Sequence, residues 1–182
     1  DLLINDYCVG LHQGRMEFGP RALGARSIIS NAVKSDVQKN LNLKIKFRES
    51  FRPFAPIIIE SEANKYFKIG ENVSPYMLLV YQINDNQMLN IDENNNKKGF
   101  DKLYVKRSAF PAITHVDYSA RIQTVSEKRN GRFYKLLNEY YSKSKIPILA
   151  NTSFNVRGEP IVESPEDAFN CFNSTNMDAL II

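Results

Sequence analysis

The chain has 182 residues, 43% of them apolar and twenty aromatic, which supplies one ordinary core without staples, and its 24% charged residues exclude disordered and collagen-like classes. Two cysteines and two histidines cannot build a disulfide framework or a zinc cluster, and no run approaches 18 apolar residues, so no membrane span is expected. Residues 12–52 carry net charge +6 and the remainder −2, a cationic segment on a near-neutral body that implies an anionic partner.

In chain order, Asp1–Ile4 reads as the tail of a helix, and the missing initial Met suggests a domain excised from a longer chain. The opening residues do not resemble a cleavable signal peptide, so a reducing cytoplasm is the expected compartment. Tyr7–Leu11 predicts a strand, and Pro20 is placed to start a helix at Arg21-Ala22-Leu23. Val37, Leu41 and Ile45 space a helix over Asp36–Lys44, capped by Ser35 or Asp36. Ile57–Ile59 reads as a buried strand, Glu62–Phe67 as a short helix, and Tyr76–Ile83, the longest apolar run, as a central strand. The Asn-rich stretch Asn84–Lys102 reads as an exposed excursion.

Ala112–Val116 and Arg121–Val125 are predicted strands. Phe133, Leu136, Leu137, Tyr140 and Tyr141 mark one face of a helix from about Gly131 to Lys143. Pro147–Ala150 is a short strand that the polar residues Asn151–Asn155 break. Ser164-Pro165-Glu166-Asp167 caps a helix to about Phe172, and Met177–Ile182 closes the chain as a strand. Alternating strands and helices indicate a mixed α/β sheet with flanking helices in a single domain, 1–182.

Four places carry chemistry. In Gly14–Gly24, helix-opening N–H groups near Pro20 with Arg21 and Arg26 adjacent would make an anion niche, and Glu17 could hold an arginine or a magnesium ion. In Lys46–Phe54, an extended backbone would put Lys46, Arg48, Ser50 and Arg52 on one face, a cation row suited to a triphosphate or an RNA backbone. Phe51 and Phe54 are expected as core residues rather than base-stacking platforms. His115 and Asp117, followed by Arg121, can pair an imidazole with a carboxylate near a ligand. Asn151, Thr152, Ser153 and Asn155 rim a pocket at a strand end, with Arg157 and Glu159 closing the loop. No GxSxG, GxxxxGK[ST] or GxGxxG is present.

Gly14-Arg15-Met16-Glu17-Phe18-Gly19-Pro20-Arg21-Ala22-Leu23-Gly24-Ala25-Arg26-Ser27-Ile28 resembles the opening signature of the C-terminal domain of O-carbamoyltransferases of nodulation-factor and antibiotic biosynthesis. Lys46–Pro56, His115–Val125 and Asn151–Pro160 resemble it in the same order. The resemblance implies a YrdC-like twisted sheet and an N-terminal kinase- or glycoprotease-like domain in the same full-length chain. It further implies ATP (with Mg2+) and carbamoyl phosphate as substrates. Carbamate from carbamoyl phosphate would be joined to AMP as carbamoyl adenylate, and the carbamoyl group then passed to a hydroxyl of a small molecule or saccharide.

By the same resemblance, Lys46-Phe47-Arg48 and Ser153-Phe154-Asn155 are similar to the Lys-x-Arg and Ser-x-Asn elements around the nucleotide of the wider fold. Lys46, Arg48 and Arg52 would then serve phosphate and carbamate charges, Ser153 and Asn155 the adenylate, with Arg21 and Arg26 on the same cationic face. The acidic-proline element that usually follows the first signature is absent at Ser30–Val33. A double-stranded RNA or tRNA-binding module is the alternative reading, distinguished by a steep loss of affinity with salt; neither membrane nor nucleic acid is expected as a partner under the first reading. The catalytic reading requires the row from Lys46 to face the Ser153–Asn155 loop across a cleft that can hold a nucleotide.

Overall fold

A computed structural model describes residues 1–90 and 98–182. Its centre is a six-stranded mixed sheet of β1 (Val9–His12), β2 (Arg26–Asn31), β3 (Ala55–Ile59), β6 (Gln123–Val125), β7 (Ile148–Ser153) and β8 (Ala179–Ile181) in the order β6-β3-β7-β2-β1-β8. β7 runs antiparallel to both β2 and β3, whereas β3 with β6 and β1 with β8 are parallel. β4 (Val80–Gln82) and β5 (Ser119–Arg121) form a separate antiparallel pair.

Both faces of the sheet are buried, and the strand period of two divides the apolar residues between them. Ile28, Ile58, Ile148 and Ala150 pack under α1 (Ser35–Asn40), the π-helical turn Leu41–Ile45, α2 (Ala63–Tyr66) and α4 (Pro165–Asn173). Ile29, Ile57, Ile59, Val125 and Leu149 pack under α3 (Glu127–Ser144) through Phe133, Leu137 and Tyr140. This is why the central strands read as continuous apolar runs rather than alternating ones.

α3 is interrupted at Gly131, whose φ of +38° lies outside the helical range, so the amphipathic segment proper follows that glycine as its spacing predicts. α4 opens with a capping box: Ser164 Oγ accepts the Asp167 N–H, and Asp167 accepts the Ser164 N–H.

Several predicted elements differ. Arg121–Val125 is not one strand but divides at Ile122 between β5 and β6, which belong to different sheets, and Asp1–Ile4 is a turn rather than the end of a helix. Arg21–Leu23 is not helical; the Gly14–Ala25 segment is a succession of bends. α1 is capped by Lys34, without a side-chain bond, instead of Ser35 or Asp36. Tyr76–Ile83 is no central strand: only Val80–Gln82 is extended, Met77 has φ +55°, and Leu78 is 63% exposed. Ala112–Val116 is a turn rather than a strand. β7 runs on through Asn151 to Ser153, because Asn151 is buried and hydrogen-bonded rather than solvated. In the Asn84–Lys102 excursion, Asp85–Gln87 and Gly99–Tyr104 are 3-10 turns, and residues 91–97 lie outside the described residues.

Candidate active site

The π turn delivers Lys46 to the end of the sheet, and Phe47, at φ +47°, turns the chain sharply after it. That turn defeats the expected extended row, since Lys46, Arg48, Ser50 and Arg52 do not alternate along a strand. Lys46 reaches the Ser153–Asn155 loop directly. Its Nζ donates to the Ser153 carbonyl at 3.0 Å and to the Asn155 carbonyl at 2.6 Å and Oδ1 at 2.5 Å, with Ser153 Oγ at 3.4 Å. Ser153 Oγ in turn donates to Asn155 Oδ1, and Asn155 Nδ2 to the Glu159 carbonyl. Burial, aided by the Arg48 charge, pushes the Lys46 ammonium down to about 8. The two motifs therefore meet in contact, and the nucleotide cleft expected between them is not there: the open cleft lies beyond Arg52 and is lined by none of Lys46, Arg48, Ser153 or Asn155.

Arg48 and Arg52 follow from a residue the sequence reading passed over. Asn42, fully buried in the π turn, accepts from Arg48 Nε at 2.6 Å and donates to the Ser50 and Arg52 carbonyls. The Arg48 guanidinium lies 4.9 Å above the ring of Phe54, which is core as expected; burial first and Arg52 second lower its pKa. Arg52 is exposed, 3.7 Å from Glu49, and Arg157, also exposed, lies near the same carboxylate.

Beyond Arg52 opens a cleft of about 800 Å³. Arg52, His115, Asp117 and Arg121 line it, together with Lys39, Lys106 and Arg107, which the sequence reading did not single out. His115 Nδ1 lies 3.1 Å from Asp117 Oδ1. Hydrogen bonds from Ser119 first, and His115 after them, hold the Asp117 carboxyl below its ordinary value.

The glycine-rich loop is organised differently from an anion niche. Glu17 Oε1 accepts the N–H groups of Leu23 and Ala25, each at 2.7 Å, so the chain's own carboxylate occupies the donors that an incoming anion would need. Asn151 Nδ2 holds the Ala22 carbonyl, Gln123 Nε2 the Leu23 carbonyl and Gln13 Nε2 the Gly24 carbonyl. Arg26 does not line a cationic face. It is 5% exposed, and its guanidinium donates to the carbonyls of Gln13, Gly14, Ala25 and Glu163, clamping the loop to the segment before α4. Thr152 is half-buried opposite Ile28 on β2, and Asn151 faces the loop from within the core.

Arg21 remains available. Its Nε and that of Arg121 are buried without a hydrogen-bond partner among the described residues. Burial, and then the neighbouring Arg21 charge, lower the pKa of Arg121. Gln123 Oε1 and Asn151 Oδ1, whose amide nitrogens grip the Leu23 and Ala22 carbonyls beside Arg21, and Glu17 Oε2 in the loop itself are likewise buried without a partner among the described residues.

Residues 1–182 match the family described as Carbamoyltransferase C-terminus. The chain belongs to that family. Nodulation protein NolO of Bradyrhizobium diazoefficiens is 38% identical over 184 residues, covering all of this chain and 30% of that protein. Nodulation protein U of Sinorhizobium fredii is 40% identical over 145 residues, 80% of this chain and 22% of the relative. An uncharacterised Synechocystis protein is 50% identical over the whole chain, which spans 29% of it. The chain thus corresponds to less than a third of the length of these relatives. In fold it is similar to full-length HypF in a phosphate- and nucleotide-bound form, with a TM-score of 0.55 at 17% identity over 99% of this chain and 23% of that one. Among the described residues no helix is long and apolar enough to cross a membrane.

Proposed function

We propose that this domain makes carbamoyl adenylate as the first half of an O-carbamoyl transfer. A carbamate oxygen attacks the α-phosphorus of ATP, taken as its magnesium complex; the bond to the β-phosphate breaks, and pyrophosphate leaves. The observation that carries this reading is the open cleft lined by Lys39, Arg52, Lys106, Arg107 and Arg121, with Arg21 close enough to Arg121 to lower its pKa. The cleft has the volume of a small-molecule site and a cationic lining in which Arg52 meets the phosphates. Membership of a carbamoyltransferase family and likeness to a protein described in a nucleotide-bound form support the reading.

Lys46 acts by fixing the Ser153–Asn155 loop, since its donors are committed to that loop. Arg48, anchored by Asn42, carries positive charge toward Arg52. The second half, delivery to a hydroxyl, falls to an N-terminal domain of the full-length chain. The test is carbamate-dependent exchange of pyrophosphate into ATP by the intact protein. Arg21→Ala, Lys46→Ala and Arg48→Ala should each abolish it, and exchange that survives in all three overturns the assignment.

A further inference from the structure

The turn from His115 to Ser119 is closed by its backbone: the His115 N–H donates to the Ser119 carbonyl, and the Tyr118 N–H, at φ +63°, donates to the His115 carbonyl. Inside the turn, Asp117 Oδ1 accepts the Ser119 hydroxyl at 2.6 Å and the Ser119 N–H at 3.0 Å, with His115 Nδ1 at 3.1 Å. A carboxylate fixed in this way keeps the imidazole proton on Nδ1 and leaves the lone pair on Nε2, which has no partner among the described residues. The histidine stands half-exposed on the wall of the cleft that Arg52 and Arg121 also line.

Adenylate formation has no use for this pair. Carbamate is already an anion, and pyrophosphate departs as one. A step with a neutral nucleophile does need a proton acceptor, and release of carbamate from an acyl phosphate by water is such a step. We propose that His115 is the general base for hydrolysis of carbamoyl phosphate in this cleft, with Asp117 as its positioning residue. Water adds to the carbonyl carbon as its proton passes to Nε2. The bond from that carbon to the phosphate oxygen then breaks, the second water proton passes to the departing oxygen, hydrogen phosphate leaves between Arg52 and Arg121, and carbamate stays behind. Nε2 returns its proton to solvent. The identity of the acyl phosphate rests on the function proposed above; the role of the imidazole rests on the geometry of the turn.

The test measures enzyme-dependent phosphate release from carbamoyl phosphate without ATP, above the spontaneous rate, and separately the pyrophosphate exchange supported by added ammonium carbamate, both with the intact protein. His115→Ala should lower phosphate release by about 100-fold, the scale of a lost general base, and added imidazole should restore a measurable part of it. Asp117→Asn should lower kcat about tenfold with KM little changed, as for a lost positioning partner. In both variants phosphate release should fall at least ten times more than exchange. Phosphate release that is absent from the parent protein, or that falls only in step with exchange, or that imidazole does not rescue, overturns the proposal. A parent protein that releases phosphate but never exchanges pyrophosphate sinks the adenylation reading and leaves the role of His115 standing.

Discussion

Asn42 offers the sharpest test of how the cationic turn is held. Asn42→Ala deletes a fully buried side chain and three hydrogen bonds: to the Ser50 carbonyl at 3.2 Å, to the Arg52 carbonyl at 2.8 Å, and from the Arg48 guanidinium at 2.6 Å. Neutral bonds contribute about 1 kcal/mol each and one to a charged group roughly 1.5–3 kcal/mol, a gross loss of about 4 kcal/mol. Ser50 and Arg48 are only partly buried, so water reclaims some of this and a net loss of about 2–3 kcal/mol is expected. For a chain of this length that lowers the melting midpoint by about 4–12 °C. Asn42→Asp keeps the acceptor for Arg48 while turning both donors into acceptors against two carbonyls, so it should lose stability without freeing the guanidinium. Urea titration with unchanged slope gives the stability, and pyrophosphate exchange gives the consequence for Arg48 and Arg52. A melt of Asn42→Ala within about 0.5 kcal/mol of the parent, the scatter of an ordinary surface change, would refute the reasoning.

Gly24→Ala should cost about 2–3 kcal/mol, because Gly24 has φ +116° and a Cβ there would lie 2.4 Å from the Phe133 ring; thermal denaturation checks it, and a neutral result means the loop does not rest on α3. The Lys46 ammonium should titrate near 8 by NMR instead of near its ordinary 10.5. Across that interval the unfolded chain still holds a proton that the folded chain has released, so the contribution of Lys46 to stability is lowest below about pH 8 and climbs as pH rises toward 10.5. Ser164→Ala should cost about 1 kcal/mol at neutral pH, as for other lost caps. Separately, the Asp167 carboxyl is held below its usual 3.8 by the N–H and hydroxyl of Ser164, so the carboxylate's own half of the box is fully stabilising above that value and is lost as pH falls through the lower folded-state one. Melts of Asp167→Asn that keep the acid-side dependence of the parent would count against the capping box.

The parts legible in the sequence are those where one local rule decides. The spacing Phe133–Leu137–Tyr140 fixes α3 because a sheet covers its apolar face, and Ser164-Pro165 fixes the start of α4 because its cap closes on residues three apart. The misreadings share a different cause. An apolar run shows what could be buried, not whether anything lies over it: Tyr76–Ile83 has the pattern of a central strand, yet Leu78 and Val80 face water. Asn151 has the local signature of a loop residue because its partner, the Ala22 carbonyl, lies 129 positions away.

The site divides along the same line. Lys46, Ser153 and Asn155 come together as expected but without the cleft expected between them, whereas the gathering of His115, Asp117, Arg121 and Arg52 around one cleft has no counterpart in their spacing along the chain. Arg26 was legible as a charge but not as a clamp, since four carbonyls consume its donors. Asn42 carried no signal at all: an asparagine at the end of a helix-like pattern is unremarkable until its three partners are known.

From Val73 to Ile83 the chain carries no charged residue, and Tyr76, Leu78, Leu79 and Val80 are each at least half exposed. Beyond Pro75 such a stretch, with high strand propensity and neither charge nor proline, is the type of segment through which copies stick together on storage. Concentrated samples should therefore scatter light increasingly with time, and a single lysine at position 79 should lengthen their shelf life while leaving the sheet untouched.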